Sequence, residues 1–247
     1  MKSSFWETIK TVLYAVLIAL VIRTTAYEPF NIPSGSMMPN LLIGDYLFVS
    51  KFSYGFSQHS FPLSAGPFSG RIFFSEPKRG DVAVFKLPSD NETDYIKRII
   101  GLPGDKIQLK RGRLFINNKI VPRRKLSPFP MQIASGRFVA VKRYVETLPN
   151  GREYQTLQKD GDKGPLDNTP IYHVPIGHYF AMGDNRDNSL DSRVPNRQGY
   201  GVGYIPSENL VGRAEVLFFS TDGTASIFEP WGWFHAARFK RFFQGIK

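Results

Sequence analysis

The chain has 247 residues, with 32 lysines and arginines against 21 aspartates and glutamates and no cysteine, which excludes disulfides, thiol nucleophiles and cysteine-ligated metals. A net charge of +11 points to nucleic acid, an anionic membrane or an acidic partner, and does not choose among them. Eighteen prolines and 22 glycines favour short strands and turns over a helix bundle, and the length allows one large domain or a core with a sizeable insertion.

Val12 to Ile22 carries no charge, and the apolar stretch widens to Thr8–Ala26 when Lys10 and Arg23 are allowed near its ends. As a helix, that stretch spans about 28 Å, close to the thickness of a hydrocarbon core, with Lys10 and Arg23 snorkelling to opposite interfaces. A cleaved secretory signal ending at Thr24-Thr25-Ala26 and a buried core helix are the competing readings. The absence of a polar face disfavours the buried helix, and an uncleaved anchor is the preferred one. The positive-inside rule keeps Lys2 and Lys10 in the cytoplasm and sends everything after Arg23 across. The expected division is therefore 1–27 as cytoplasmic end and anchor, and 28–247 as an extracytoplasmic domain.

Beyond the anchor, Tyr27 to Pro33 contains two prolines and reads as extended chain near the membrane surface. Leu41–Phe52 predicts a strand or hairpin, and Ser53–Pro77 a loose loop with apolar residues dipping toward lipid. Asp81–Leu87 and Asp94–Ile100 are strand candidates separated by the turn residues Pro88-Ser89-Asp90-Asn91. Ile107–Leu109 and Leu114–Ile116 flank Lys110-Arg111-Gly112-Arg113 as a hairpin. Val121–Pro175 is charged and less periodic, so an inserted subdomain is expected over about 106–176. Tyr179–Met182 and Leu210–Phe219 complete the strands, and the class reads as mostly β. The segment Trp231–Lys247 interleaves Trp231, Trp233, Phe234, Phe239, Phe242 and Phe243 with Arg238, Lys240, Arg241 and Lys247. As a helix it would suit an anionic lipid surface; the alternative is a C-terminal helix packed on the core. An anchor at the other end favours lipid over single-stranded nucleic acid.

Three clusters carry residues capable of chemistry. Pro33-Ser34-Gly35-Ser36-Met37-Met38-Pro39 sets two hydroxyls around a glycine, a rigid turn that would present a nucleophile; a purely structural turn has the same composition. Alternation on a strand sends Tyr95, Lys97 and Ile99 to one face and Ile96, Arg98 and Ile100 to the other. A lysine in that company is either snorkelling at an edge or being desolvated. Gly183–Arg193 (GDNRDNSLDSR) is too polar for a core strand. A solvated loop and a calcium loop are the plain alternatives for it, but Asp184, Asp187 and Asp191 lack EF-hand spacing, and Arg186 and Arg193 would oppose a cation. An internally bonded polar network is the better reading.

Taken in order, PSGSMMP (Pro33–Pro39), KRGDVAVF (Lys78–Phe85), YIKRIIGLPGD (Tyr95–Asp105) and GDNRDNSLDSR resemble the boxes of bacterial type I signal peptidases. That resemblance implies a membrane-anchored serine endopeptidase that removes signal peptides after Ala-X-Ala sites. It implies a signal-peptidase-like antiparallel β catalytic core with an inserted β-rich subdomain after one transmembrane helix, at the bacterial inner membrane. Ser36 falls where the family places its nucleophile and Lys97 where it places the general base. Ser34, with the Ser36 N–H, matches the oxyanion hole, Ser189 the hydroxyl that holds the lysine amine, and Asp191 with Arg193 a bracing ion pair. Phe30, Ile32, Pro33, Leu41, Tyr95 and Ile96 fall on segments that line the substrate groove. No cofactor and no metal are implied; the partners are preproteins, anionic lipid and, by proximity, the secretion translocon, with no nucleic acid. Asn40 departs from the threonine usual at its position, and Asn117-Asn118 from the more common Asn-Gly.

The chemistry sets its own demand. Lysine has an ordinary pKa of about 10.4, so Lys97 must drop by roughly 2–3 units to act as a base near neutrality; Tyr95, Ile99 and Met37 are the expected apolar neighbours. The rivals are a Ser-His-Asp triad drawing on His59, His173, His178 or His235, a self-cleaving Ser-Lys repressor, and a non-enzymatic anchored scaffold. No histidine lies in the matched boxes, and a repressor would carry a DNA-binding module in place of the membrane segment.

Overall fold

A computed structural model describes residues 2–61, 64, 66, 68–132, 136–196, 200–224 and 232–247, without the side chains of 2–4 and 233. The apolar N-terminal stretch is one helix, Lys2–Thr25, six residues longer at its start than the expected segment. Its Phe5–Thr25 portion is long and apolar enough to cross a membrane, and none of it is buried. At its end Arg23 does not stand alone: its guanidinium pairs with Glu28 at 2.6 Å.

Seven strands form the main sheet, all neighbours antiparallel, in the order Tyr27–Asn31, Asp45–Ser50, Leu210–Ser220, Val82–Lys86, Asp94–Gly101, His178–Met182 and Ile205–Pro206. The last long strand thus enters the middle of the sheet, between Asp45–Ser50 and Val82–Lys86. Val82, Ala83, Val84 and Phe85 are all buried, the continuous apolar run expected of a strand covered on both faces. One core, with Ile32, Met37, Leu41, Leu47 and Val49, lies beneath the PSGSMMP segment. Another, with Phe85, Ile99, Tyr179 and Ala181, lies on the sheet's other part.

Between Gly101 and His178 the chain builds two further sheets. Lys106–Lys110, Arg113–Ile116, Lys119–Ile120 and Tyr172–His173 form one; Arg123–Lys125, Phe129–Gln132, Phe138–Thr147 and Glu153–Gln158 form the other. Ile107, Leu109, Leu114 and Ile116 share a core with Ile100, Phe180 and Met182 of the main sheet, which fixes the added sheets to the strands on either side of them.

Three expectations change. Leu41–Phe52 is a strand only over Asp45–Ser50; Leu41–Gly44 is a turn, and Gly44 lies at φ +86 with Thr221 O where a Cβ would fall, 2.1 Å away, so only glycine fits. The stretch Ser53–Pro77, expected to be loose, contains a small hairpin of Phe56–Ser57 with Arg71–Ile72, tied by Arg71 to the carbonyls of Tyr54, Gly55 and Leu210. The C-terminal segment is not one helix. Trp233–Ala236 forms a single turn and Phe239–Arg241 another. After Phe243, at φ 58, the chain runs beside Leu210–Ser220, with Phe243 N and Leu217 N bonded to Leu217 O and Gln244 O. Ile246 packs into the core while Phe234, Phe239 and Phe243 stay exposed. Trp231 lies outside the described residues.

Candidate active site

Ser36 sits in a single turn, Gly35–Met37, all of it buried. The turn is held from both sides. Before it, Ile32 N bonds Asp45 O and Gly44 N bonds Ile32 O. From the polar loop, Asn185 N donates to Ser36 O at 2.9 Å and Asn185 Nδ2 to Gly35 O at 3.0 Å. Gly183 allows that loop to come so close: a Cβ there would lie 2.2 Å from Ser189 Oγ and 2.7 Å from Ser36 O.

Lys97 lies on Asp94–Gly101, opposite Ala83, and is 4 % exposed. Its Nζ donates to Ser36 Oγ at 2.8 Å and to Ile96 O at 3.0 Å, and lies 5.2 Å from the centre of the Tyr95 ring. Burial lowers its pKa to about 8, against the opposing pull of Asp191 and Asp184. With Ile96 O taking one N–H, the lone pair of a neutral amine is free to face the Ser36 hydroxyl. Ser34 Oγ is 3.3 Å from Ser36 Oγ.

Arg98, one residue on, turns to the other face. It is fully buried and clamps Asp184 with two bonds, Nε to Oδ1 at 2.8 Å and Nη2 to Oδ2 at 2.7 Å. Asp191 and Arg193 form a second bidentate pair, fully buried, with both bonds at 2.8 Å. Burial alone would raise the Asp191 carboxyl; the charge and hydrogen bonds of Arg193 together with the Gly183 N–H more than offset it and hold the group below its ordinary value. A third buried pair, Arg186 with Glu146, is shared with the Tyr154 hydroxyl. Gly183–Arg193 is thus a bonded network rather than a solvated loop, because each of its buried charges needs a partner once it leaves water.

The structure separates two expected residues from the others. Ser189 Oγ is buried and makes no hydrogen bond to Lys97 or to any other described group; it lies near enough to Asp191 to help lower that carboxyl's pKa, without hydrogen-bond geometry. Leu41 does not line the groove: its N–H bonds Met37 O, and this turns the side chain, 1 % exposed, into the core below the site.

A cavity of about 530 Å³ opens above Ser36 and Lys97, lined by Phe30, Ile32, Pro33, Ser34, Tyr95 and Ile96 together with Asn31, Val84, Asp94, Asn188 and Leu190. No histidine is among these described lining residues. Of the last five, Val84, Asn188 and Leu190 lie within the sequence motifs without being singled out by them, Asn31 and Asp94 lie just outside, and the motifs do not announce the Arg98–Asp184 and Arg186–Glu146 pairings. Asp184 and Arg186 belong to a motif dense with charge, which signals a network without naming its partners; nothing near Glu146 in the sequence marks it.

A family model described as signal peptidase, peptidase S26, matches residues 5–219. A signal peptidase I of Rickettsia conorii is 42 % identical over 219 residues, covering 84 % of this chain and 77 % of that protein. Its counterpart from Rickettsia canadensis is 42 % identical over 223 residues, covering 86 % and 79 %. A crystal structure of a signal peptidase I from Enterococcus faecalis V583 is similar at 23 % identity and a TM-score of 0.32, over 56 % of this chain and 97 % of that one. On the family match and these identities the chain is a serine endopeptidase of the bacterial type I signal peptidase family, peptidase S26.

Proposed function

We propose that this protein cleaves signal peptides from exported preproteins after Ala-X-Ala-type sites, with Ser36 as nucleophile and Lys97 as general base. The observation that carries the reading is the 2.8 Å contact between Lys97 Nζ and Ser36 Oγ, made by a lysine whose pKa burial has lowered to about 8. At pH 7 about one Lys97 in ten is then neutral, against fewer than about one in a thousand for an exposed lysine.

Neutral Lys97 takes the Ser36 proton as Oγ attacks the scissile carbonyl, and the tetrahedral oxyanion meets the Ser34 hydroxyl and the Ser36 N–H. The ammonium of Lys97 returns its proton to the departing amine. Water, activated by the same amine, then hydrolyses the ester on Ser36. Asp191–Arg193 braces the loop, and Ile96 O holds the Lys97 amine toward Ser36.

Substrate binds as an extended strand. His178–Met182 pairs with Asp94–Gly101 only from Arg98 onward, which leaves the Tyr95–Lys97 edge open to a peptide. Phe30, Ile32, Val84 and Ile96 make the adjoining cavity apolar, suited to alanine-sized side chains. The helix Lys2–Thr25 is the single-pass anchor in the bacterial cytoplasmic membrane, and 28–247 is the extracytoplasmic peptidase domain, with an insertion over about 106–176. The exposed Phe234, Phe239, Lys240, Phe243 and Lys247 contact anionic lipid near the translocon.

The test is cleavage of a preprotein bearing an Ala-X-Ala site by detergent-solubilised protein, with the new N-terminus identified by mass spectrometry. Cleavage after the final alanine, abolished by Ser36→Ala, is the expected result. No cleavage by folded protein with lipid supplied, across several preproteins, would favour a scaffold instead.

A further inference from the structure

The Ser36 turn and the Lys97 strand come from separate parts of the chain, and their 2.8 Å contact requires the two segments to hold register to a fraction of an ångström. Besides that contact, a side-chain route connects them. Asn40, four residues after Ser36, spends both amide protons: Nδ2 donates to Asp184 Oδ2 and to Gln155 O, each at 2.7 Å. Asp184 in turn holds the guanidinium of Arg98, next to Lys97, and is next to Asn185, which bonds Ser36 O. Gln155 lies on Glu153–Gln158 of the added sheet. The Asn40 carbonyl is fixed as well, by Arg241 Nη2 at 2.9 Å, whose Nε bonds the buried carboxylate of Asp45.

Resting on the Ser36–Lys97 reading, we propose that Asn40 is a positioning residue: its amide locks the nucleophile turn to the Arg98–Asp184 pair and so sets both the Ser36–Lys97 distance and the environment of the amine. An amide suits the junction because it supplies two donors without charge. Its bond also draws electron density from Asp184, one of the two carboxylates whose field favours the charged form of Lys97. Losing the amide therefore acts twice in one direction. It strengthens the field of Asp184, and it loosens the turn, admitting water to Lys97. Both raise the lysine pKa.

Valine and threonine have nearly the same shape, but threonine keeps one hydroxyl donor for Asp184. Asn40→Val and Asn40→Thr, made in the full chain, separate the hydrogen bond from the packing. The measurements are kcat, KM, melting temperature, and the Lys97 pKa by NMR of ε-13C-labelled lysine, with the signal assigned from Lys97→Met. Asn40→Val is expected to lower kcat by about 10- to 100-fold with KM within about twofold and the Lys97 pKa raised; Asn40→Thr recovers part of both. A wild-type kcat and Lys97 pKa in Asn40→Val would overturn the proposal. So would equal losses in both variants with an unmoved pKa, which is the pattern of a merely structural role. If Ser36→Ala and Lys97→Met left cleavage intact, the dyad reading would fail, while the NMR titration would still decide whether Asn40 sets the amine's environment.

Discussion

Lys97 and Arg98 are adjacent cations on one strand, both buried, and only Arg98 has a carboxylate within ion-pair distance among the described residues. Alternation sends them to opposite faces. Arg98 meets Asp184 and stays charged; Lys97 meets Tyr95, Ser36 and a backbone carbonyl. The same desolvation that Asp184 offsets for Arg98 is left largely unbalanced at Lys97, which turns an ordinary ammonium into a titratable amine.

The lowered pKa has a cost in stability. An unfolded chain returns Lys97 to about 10.5, so between about pH 8 and 10.5 it binds more protons than the folded protein, and stability rises with pH across that window. The cost is fully present below pH 8 and amounts to about 3 kcal/mol. Lys97→Met should therefore be more stable than wild type at pH 7, with the gap closing as pH approaches 10.5. Urea unfolding at several pH values measures it; a variant less stable at pH 7 would contradict the buried-amine account.

Removing one partner of the Arg98–Asp184 pair should do the reverse. Asp184→Leu leaves a fully buried guanidinium without its carboxylate and takes away the acceptor of Asn40. A loss of about 3–5 kcal/mol is expected, read by urea unfolding, whereas Arg98→Met combined with Asp184→Leu should cost less than the single change. Equal losses would place the energy in packing rather than in the charge.

Gly183→Ala tests the approach of the polar loop to the nucleophile turn. The new methyl must displace Ser189 or push against the carbonyl of Ser36, so cleavage should fall by about 100-fold or more while circular dichroism keeps the β signature. Wild-type activity would mean that the Ser36 turn tolerates movement that the proposed chemistry does not.

Much of this arrangement is legible in the amino-acid sequence. The strands around Val82–Phe85 and Asp94–Ile100 show through their β-branched runs, and alternation alone assigns Lys97 and Arg98 to opposite faces. The ordered motifs bring Ser36, Lys97 and Gly183–Arg193 together. What stays hidden is non-local. Leu41 lies on the right segment for the groove, but a bond from its N–H to Met37 O turns it into the core. Glu146 and Tyr154 brace Arg186 from a stretch that reads only as charged and irregular. The C-terminal residues look helical by composition, yet Leu210–Ser220 pairs with Val82–Lys86 only as far as Arg213, and the edge beyond it draws them into extended pairing after Phe243. Asn40 reads as a small departure in a turn, because nothing in sequence places it beside Asp184.

Lys97 takes the proton of Ser36 in the chemistry proposed for this site. The most direct test of that step is kcat/KM on an Ala-X-Ala peptide between about pH 6 and 10 for wild type, Lys97→Met and Ser36→Ala. With Lys97 as the base, the wild-type value should rise about tenfold per pH unit and level off near the Lys97 pKa of about 8, with both variants at least about 1,000-fold lower and no such limb. A Lys97→Met enzyme that keeps the rate, or keeps the same limb, would show that another group is the base.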